Sequence, residues 1–207
     1  MAVVKRYRVS SAAEAVRVAG SDLAEVLDSF AGCFGLERSS VAYVSTPITT
    51  GRRYYAWLAT SKLSKDNPNF PMEHAREVIA VNQASAHALV LQARRLLGKI
   101  VVDPTGLKAP EWSQSDFHFF WSRLITDYVG TVVFNDGWEY STGCTYEYAA
   151  ALRAGATVLD AQMSVMPPIV AVTKTDEAIA LLRGQGHAVQ SLAVAQRQIV
   201  EAVESAG

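Results

Sequence analysis

The residues most able to do chemistry lie in Val132–Ala150, VVFNDGWEYSTGCTYEYAA, where a β-branched run, a glycine-rich polar turn and a helix start follow one another. This layout sets a helix N-terminus at the end of a buried strand. Free backbone N–H groups and the helix dipole both point into such a place, which suits an anionic ligand. Glu147 falls just inside the helix, behind Ser141 and Gly143. A carboxylate there can serve as nucleophile or general base. Nucleophilic carboxylates suit displacement at a sugar anomeric carbon, where the transition state resembles an oxocarbenium ion. An isolated helical glutamate is more often a solvated residue in a favourable dipole position; the Ser-x-Gly turn narrows that gap without closing it.

A second polar stretch, Ser45–Arg53 (STPITTGRR), carries hydroxyls at Ser45, Thr46, Thr49 and Thr50 and then Gly51-Arg52-Arg53. Hydroxyls, a glycine backbone and guanidinium groups together make a phosphate or sugar cradle. The same composition also describes a polar turn with two solvated arginines. It lacks the GK[ST] ending of a Walker A loop. Cys144 sits near the helix N-terminus, where a thiolate is stabilised, yet no histidine is close in sequence, so a packing role is favoured. The four histidines, 74, 87, 118 and 187, show no metal-ligand spacing, and no metal is expected. Trp112, Trp121 and Trp138 are candidates for an aromatic slot; Trp121 reads more as core, and Trp138, in a turn, as the more open.

These groups need elements to position them. Residues 11–32 read as helix, interrupted near Gly20-Ser21-Asp22, with Asp22 capping a second segment whose apolar face is Leu23, Val26, Leu27 and Phe30. Strands are expected at Val41–Val44, Ile100–Val102, Thr131–Phe134, Thr157–Leu159 and Ile169–Val172. Helices are expected at Tyr54–Leu63, Glu73–Leu97, Phe117–Tyr128, Thr145–Ala154, Asp176–Arg183 and Ala188–Val203. In the longest, Val78, Val81, Leu89, Leu96 and Leu97 are core candidates, Arg94 and Arg95 favour the dipole, and Gly98 ends the helix. Thr105–Ser115 lacks periodicity and reads as a lid. Alternating strands and helices imply a mostly parallel sheet covered on both faces. Ligands of such sheets bind at the carboxyl ends of the strands. That rule gathers three loops: Ser45–Arg53, Asp103–Asp116 with Asp103 among the binding candidates, and Asn135–Glu147.

Composition limits the function classes. The chain has 207 residues, half of them hydrophobic, and a formal net charge of −1. That length holds one well-buried domain, and the charge argues against binding nucleic acid through its phosphate backbone. No apolar stretch reaches the roughly 18 residues that span a bilayer, and the start, MAVVKRYRVSS, lacks a signal-peptide core. Two distant cysteines, Cys33 and Cys144, fit free thiols in a reducing cytoplasm.

VAYVSTPITTGRR (Val41–Arg53) and TVVFNDGWEYSTGCTYEYAAALRAG (Thr131–Gly155) together resemble the nucleoside 2-deoxyribosyltransferase-like superfamily, including its nucleotide N-glycosidase branch of 2′-deoxynucleoside 5′-phosphate N-hydrolase-like enzymes. The resemblance implies a three-layer Rossmann-like (flavodoxin-like) α/β core over residues 41–172. A helical extension (1–40) precedes it, and C-terminal helices (173–207) pack on it. It also implies that Glu147 attacks C1′ of a (deoxy)ribose and expels the base. Six residues earlier, transferases of the family usually have Asp and nucleotide hydrolases Ser; this chain has Ser141, and a hydroxyl donates to phosphate where a carboxylate repels it. The expected substrate is therefore a nucleoside 5′-monophosphate. Its phosphate is expected on Ser141 and on Arg52 or Arg53. Tyr43, Ser45, Thr46, Gly51, Asp103, Trp138 and Gly143 complete the binding set, and no cofactor is required. The family's helical Asp that assists the leaving base has no counterpart near Ser122–Arg123; Asp116 and Asp127 are the available substitutes. Family members also imply a homodimer or larger assembly, with Met163–Pro168 as one contribution in trans. A deoxyribosyltransferase and a non-catalytic nucleotide-binding module are the alternatives. An NAD glycosidase is weaker, since no G-x-G-x-x-G is present.

Overall fold

The computed structural model describes residues 24–61 and 63–205. Four short strands, β1 (Val41–Ser45), β2 (Ile100–Val102), β3 (Thr131–Phe134) and β4 (Thr157–Leu159), form one parallel sheet in the order β2-β1-β3-β4. Every residue of β1 and β3 is buried, as expected for central parallel strands covered on both faces. Their β-branched runs therefore serve two cores at once.

Alternate residues of β1 point to opposite layers. On one face Ala42 and Val44, with Val101, Val133 and Leu159, pack against Leu89, Val90 and Ala93 of α4 (Ala80–Leu97). On the other, Val41 and Tyr43, with Val132, Phe134 and Val158, pack against α5 (Gln114–Tyr128) and α6 (Thr142–Arg153), and Ile199 of α8 (Gln190–Glu204) reaches the same core. The result is a three-layer Rossmann-like α/β fold, with the flavodoxin-like 2-1-3-4 order. From β1 the chain moves outward to β2, then returns across to β3 on the other side. The crevice at such a reversal is where ligands of these sheets bind. Tyr43, level with Val102 of β2 and Val132 of β3, stands near its floor.

The remaining helices are α1 (24–34), α2 (Arg52–Ser61), α3 (Phe70–His74) and α7 (Pro168–Gly184). A π-helical stretch, Ala75–Ile79, joins α3 to α4. Gly98 closes α4 in the left-handed conformation, φ 61°, with its N–H on the Arg94 carbonyl, as the sequence predicts. No helix among the described residues is long and apolar enough to cross a membrane.

Several expectations are corrected. Ile169–Val172 is not a strand but the first turn of α7. Pro167 stands at its N-cap and Pro168 opens it, where a missing N–H costs nothing. Ala171, Thr175, Ala178, Ile179 and Leu182 then bury a helical stripe. The border at 172/173 thus falls inside one helix. In α1 the buried face is Leu27 and Ala31, while Val26 and Phe30 are exposed; Val81 and Leu96 of α4 are exposed as well. Leu23, Asp22 and the preceding helical segment lie outside the described residues.

Candidate active site

The β3–α6 connection sets one wall. After Phe134, Asn135 donates its backbone N–H to Ser45 O at 2.9 Å, and its Nδ2 to Thr46 Oγ1 at 3.0 Å and Ser85 Oγ at 3.1 Å. This amide ties the ends of β1 and β3 together. Gly137 turns the chain at φ 78°, and Ser141 then caps α6, its Oγ accepting from the Cys144 N–H. Glu147 follows on α6, one turn after Gly143 and facing the end of β1.

The 46–51 loop forms the second wall. Asn82 of α4 is buried and donates Nδ2 to Ile48 O at 3.0 Å and Thr50 O at 3.3 Å. His74 Nε2 lies 2.8 Å from Thr49 O. Gly51 adopts φ 89°, and a Cβ there would meet Pro47 Cβ at 2.6 Å; only glycine makes this turn without strain.

Between these walls and α5 lies a cavity of about 580 Å³, within the size range of small-molecule sites. The Glu147 carboxylate borders it and is held from below. Tyr43 donates its hydroxyl to Oε1 at 2.9 Å, and Ser45 donates Oγ to Oε2 at 2.6 Å. Burial destabilises the carboxylate and lifts its pKa from 4.5 to about 7, while the two hydroxyls pull the other way. Burial, then the Glu147 charge, push Tyr43 well up, so it stays a donor. Burial likewise raises the Cys144 thiol, leaving a neutral packing residue. Tyr43 leans on Trp121 of α5, ring centroids 5.6 Å apart, so the acid is braced through two aromatic layers. Such a group, ionising near neutral pH in a cavity, is suited to nucleophilic or general-base work.

The cavity wall brings together Tyr43, Thr46, Ser141, Gly143 and Glu147 from the expected set, with Ser45 bonded to Glu147 from behind. The other expected residues lie elsewhere. Arg52 and Arg53 project from the first turn of α2 into a neighbouring niche of about 340 Å³. There Arg52 pairs with Glu139 and lies over the Tyr140 ring, and Arg53 Nε donates to Asn82 Oδ1 at 3.3 Å. Gly51 supports the turn between Pro47 and Arg52 rather than the cavity. Asp103 caps the 104–106 turn, accepting from Thr105 N and Oγ1. Trp138 is 2% exposed, stacked on Tyr148 and packed on Phe134; it belongs to the core, and Trp121 to the cavity, the reverse of the expectation. Trp112 packs on Phe117 and Phe120.

Both expected proton donors are displaced. Asp116 closes a capping box with Ser113 at the start of α5, and Asp127 pairs with Arg123 near its end. Neither lines the cavity, and among its lining residues Glu147 is the only carboxylate. Sequence reasoning missed Tyr55, Lys108, Phe117, His118 and Ser191, which do line it. For Phe117 and Trp121 the signal was present as i, i+4 spacing on one face of α5. For Ser191, from the far C-terminal helix, none was. Among the described residues no group of three or more His, Cys, Asp or Glu side chains is arranged to hold a metal ion. Set against protein-family models, curated proteins and solved structures, the chain matches none of them.

Proposed function

We propose that the cavity binds a nucleoside 5′-monophosphate and breaks its N-glycosidic bond with Glu147 as nucleophile, releasing free base and (deoxy)ribose 5-phosphate. The observation that carries this reading is a carboxylate fixed by Tyr43 and Ser45 on the wall of a cavity of about 580 Å³ whose described lining holds no second carboxylate. The Glu147 oxygen attacks C1′ as the bond to the base nitrogen breaks, and the electron pair leaves with the base. Positive charge builds on the sugar in that transition state, and a buried anion beside it is stabilised as the charge appears. The base takes its proton from cavity water, since Asp116 and Asp127 stand elsewhere. Water then adds at C1′, loses a proton, and displaces the carboxylate. Leu107, Phe117 and Trp121 offer an apolar face for the base. Ser141, Thr142 and Lys108 offer donors for the phosphate in place of Arg52 and Arg53.

A deoxyribosyltransferase would use the same Glu147 step with a second base replacing water. The lack of a second carboxylate on the cavity wall favours one further reading, a nucleotide-binding module that leaves its ligand intact. The proposal extends to a cytoplasmic homodimer or larger assembly; Val165, within the segment assigned in trans, is exposed.

The test is incubation with a panel of ribo- and deoxyribonucleoside 5′-monophosphates, scored by chromatography for free base, with Glu147→Ala alongside and its fold checked by circular dichroism. Base released by wild type and not by a folded variant supports the glycosidase. Faster base exchange than hydrolysis would move the reading to a transferase. Ligand-induced thermal stabilisation with no release would establish the binding module.

A further inference from the structure

α5 lies against α6, and His118 stands where the two helices border the cavity. A methyl group placed on Gly143 would sit 3.7 Å from His118 Nε2 and 3.9 Å from Ser141 Oγ. The missing side chain at 143 is thus the gap between an imidazole and a serine hydroxyl. The ring leans on Tyr146, centroids 5.4 Å apart, which fixes its plane. Gly143 precedes Glu147 by one turn of α6, about 6 Å along its axis, and both line the same cavity as His118. A nucleotide whose C1′ faces Glu147 carries its phosphate beyond C5′, on the far side of the sugar ring, toward that gap.

We propose that His118 is the specificity-determining residue for the 5′-phosphate: it takes up a proton as the nucleotide enters and, as imidazolium, pairs with the phosphate held over Ser141 and Gly143. This rests on the nucleotide reading above. Burial lowers the His118 pKa and so favours the neutral ring. A phosphate brings the opposite charge that favours the cation. The ionisable groups facing the same space are Glu147 and Tyr146 of α6, Tyr43 of β1, Tyr55 of α2, Tyr140 before α6, and Lys108 of the β2–α5 loop. By sign, a Glu147 carboxylate favours the imidazolium and Lys108 opposes it, and a nucleotide adds the phosphate charge that a nucleoside lacks, so the residue separates nucleotide from nucleoside.

The experiment compares wild type with His118→Gln on the preferred nucleotide and on its nucleoside from about pH 5.5 to 8.5. Calorimetry of ribose 5-phosphate binding in two buffers of different ionisation enthalpy accompanies it. Loss of a charge-assisted bond raises the nucleotide KM on the order of 10–100-fold, with a much smaller change in kcat and a smaller loss on the nucleoside. The wild-type nucleotide KM rises with pH as the imidazolium is lost, and that of the variant does not. Wild type takes up protons on binding ribose 5-phosphate near pH 7.5; the variant does not. Equal losses on nucleotide and nucleoside, a loss confined to kcat, or binding without proton uptake would overturn the assignment. If wild type releases no base, calorimetry still decides. Proton-linked phosphate binding lost in a folded variant keeps His118 while the glycosidase falls, and no binding to wild type refutes both.

Discussion

Replacing Glu147 with Gln should make the protein more stable in mild alkali and inactive at every pH. The carboxyl is lifted from 4.5 to about 7 by burial, so the folded state favours its neutral form. For an acid with a raised folded pKa, stability is fully present below the unfolded value and is lost as pH rises through the folded one. The window here runs from about 4.5 to about 7. At about 1.4 kcal/mol per tenfold change in proton affinity, ionisation costs the fold about 3 kcal/mol as a ceiling. Cavity water shares the solvation, which brings the expected cost to about 1–3 kcal/mol. Gln keeps the shape: its amide oxygen accepts from one of the two hydroxyls, and its nitrogen donates to the other, which rotates to accept. Denaturant unfolding of both proteins from about pH 5 to 8.5 reads the difference. The gap should be small near pH 5 and widest near pH 8.5, where the variant exceeds wild type by about 1–3 kcal/mol, or roughly 2–12 °C in parallel thermal melts at about 2–4 °C per kcal/mol. Over the same range wild-type base release should rise through about pH 7 as the nucleophile ionises. A stability gap that does not change with pH, or a wild type that gains on the variant in alkali, would refute the burial argument.

Other perturbations separate support from site. Gly51→Ala forces a side chain at φ 89° into Pro47 and should cost about 2–4 kcal/mol by denaturant melt. Gly143→Ala makes only ordinary contacts and sits in a helix, so it should leave stability level or raised by about 0.5 kcal/mol while weakening phosphate-ligand binding by titration. Arg52→Ala strands Glu139, whose side chain is 5% exposed, and should destabilise by about 1–3 kcal/mol; Arg53→Ala, which removes a 3.3 Å bond to the Asn82 amide, should cost less in the same melts. Thiol titration of the native protein should find Cys33 reacting quickly and Cys144 only on unfolding, since one is exposed and the other buried.

The sheet was legible because its strands are short β-branched runs buried on both faces, and each stands where the sequence puts it. Ile169–Val172 misled for the same reason: IVAV looks like another such run, and only the preceding proline pair marks a helix start. The buried face of α4 was blurred because small and polar side chains, Asn82, Ala86 and Ala93, share it with Leu89 and Val90, while Val81 and Leu96 stand exposed. Glu147, Tyr43 and Ser45 meet because their motifs end two adjacent parallel strands, a relation the topology rule supplies. The arginines were misassigned because loop composition says which groups are near, not which side of a glycine turn they leave from. Trp121 and Trp138 exchanged expected places because a turn residue can fold inward when the core has room, as Trp138 does against Tyr148.

The π-helical stretch acts as an inserted shim. One extra residue in the winding offsets everything upstream by about 100° from an unbroken α-helix. With that offset, His74 on one side of it and Asn82 on the other both grip the 46–51 loop, from Thr49 and from Ile48 and Thr50. Excising a single residue between 75 and 79 would leave a better helix and swing His74, with Phe70 of the same helix, away from the loop and from Trp57 of α2. Length in this helix is therefore fixed by the cavity wall, and the segment tolerates substitution more readily than deletion.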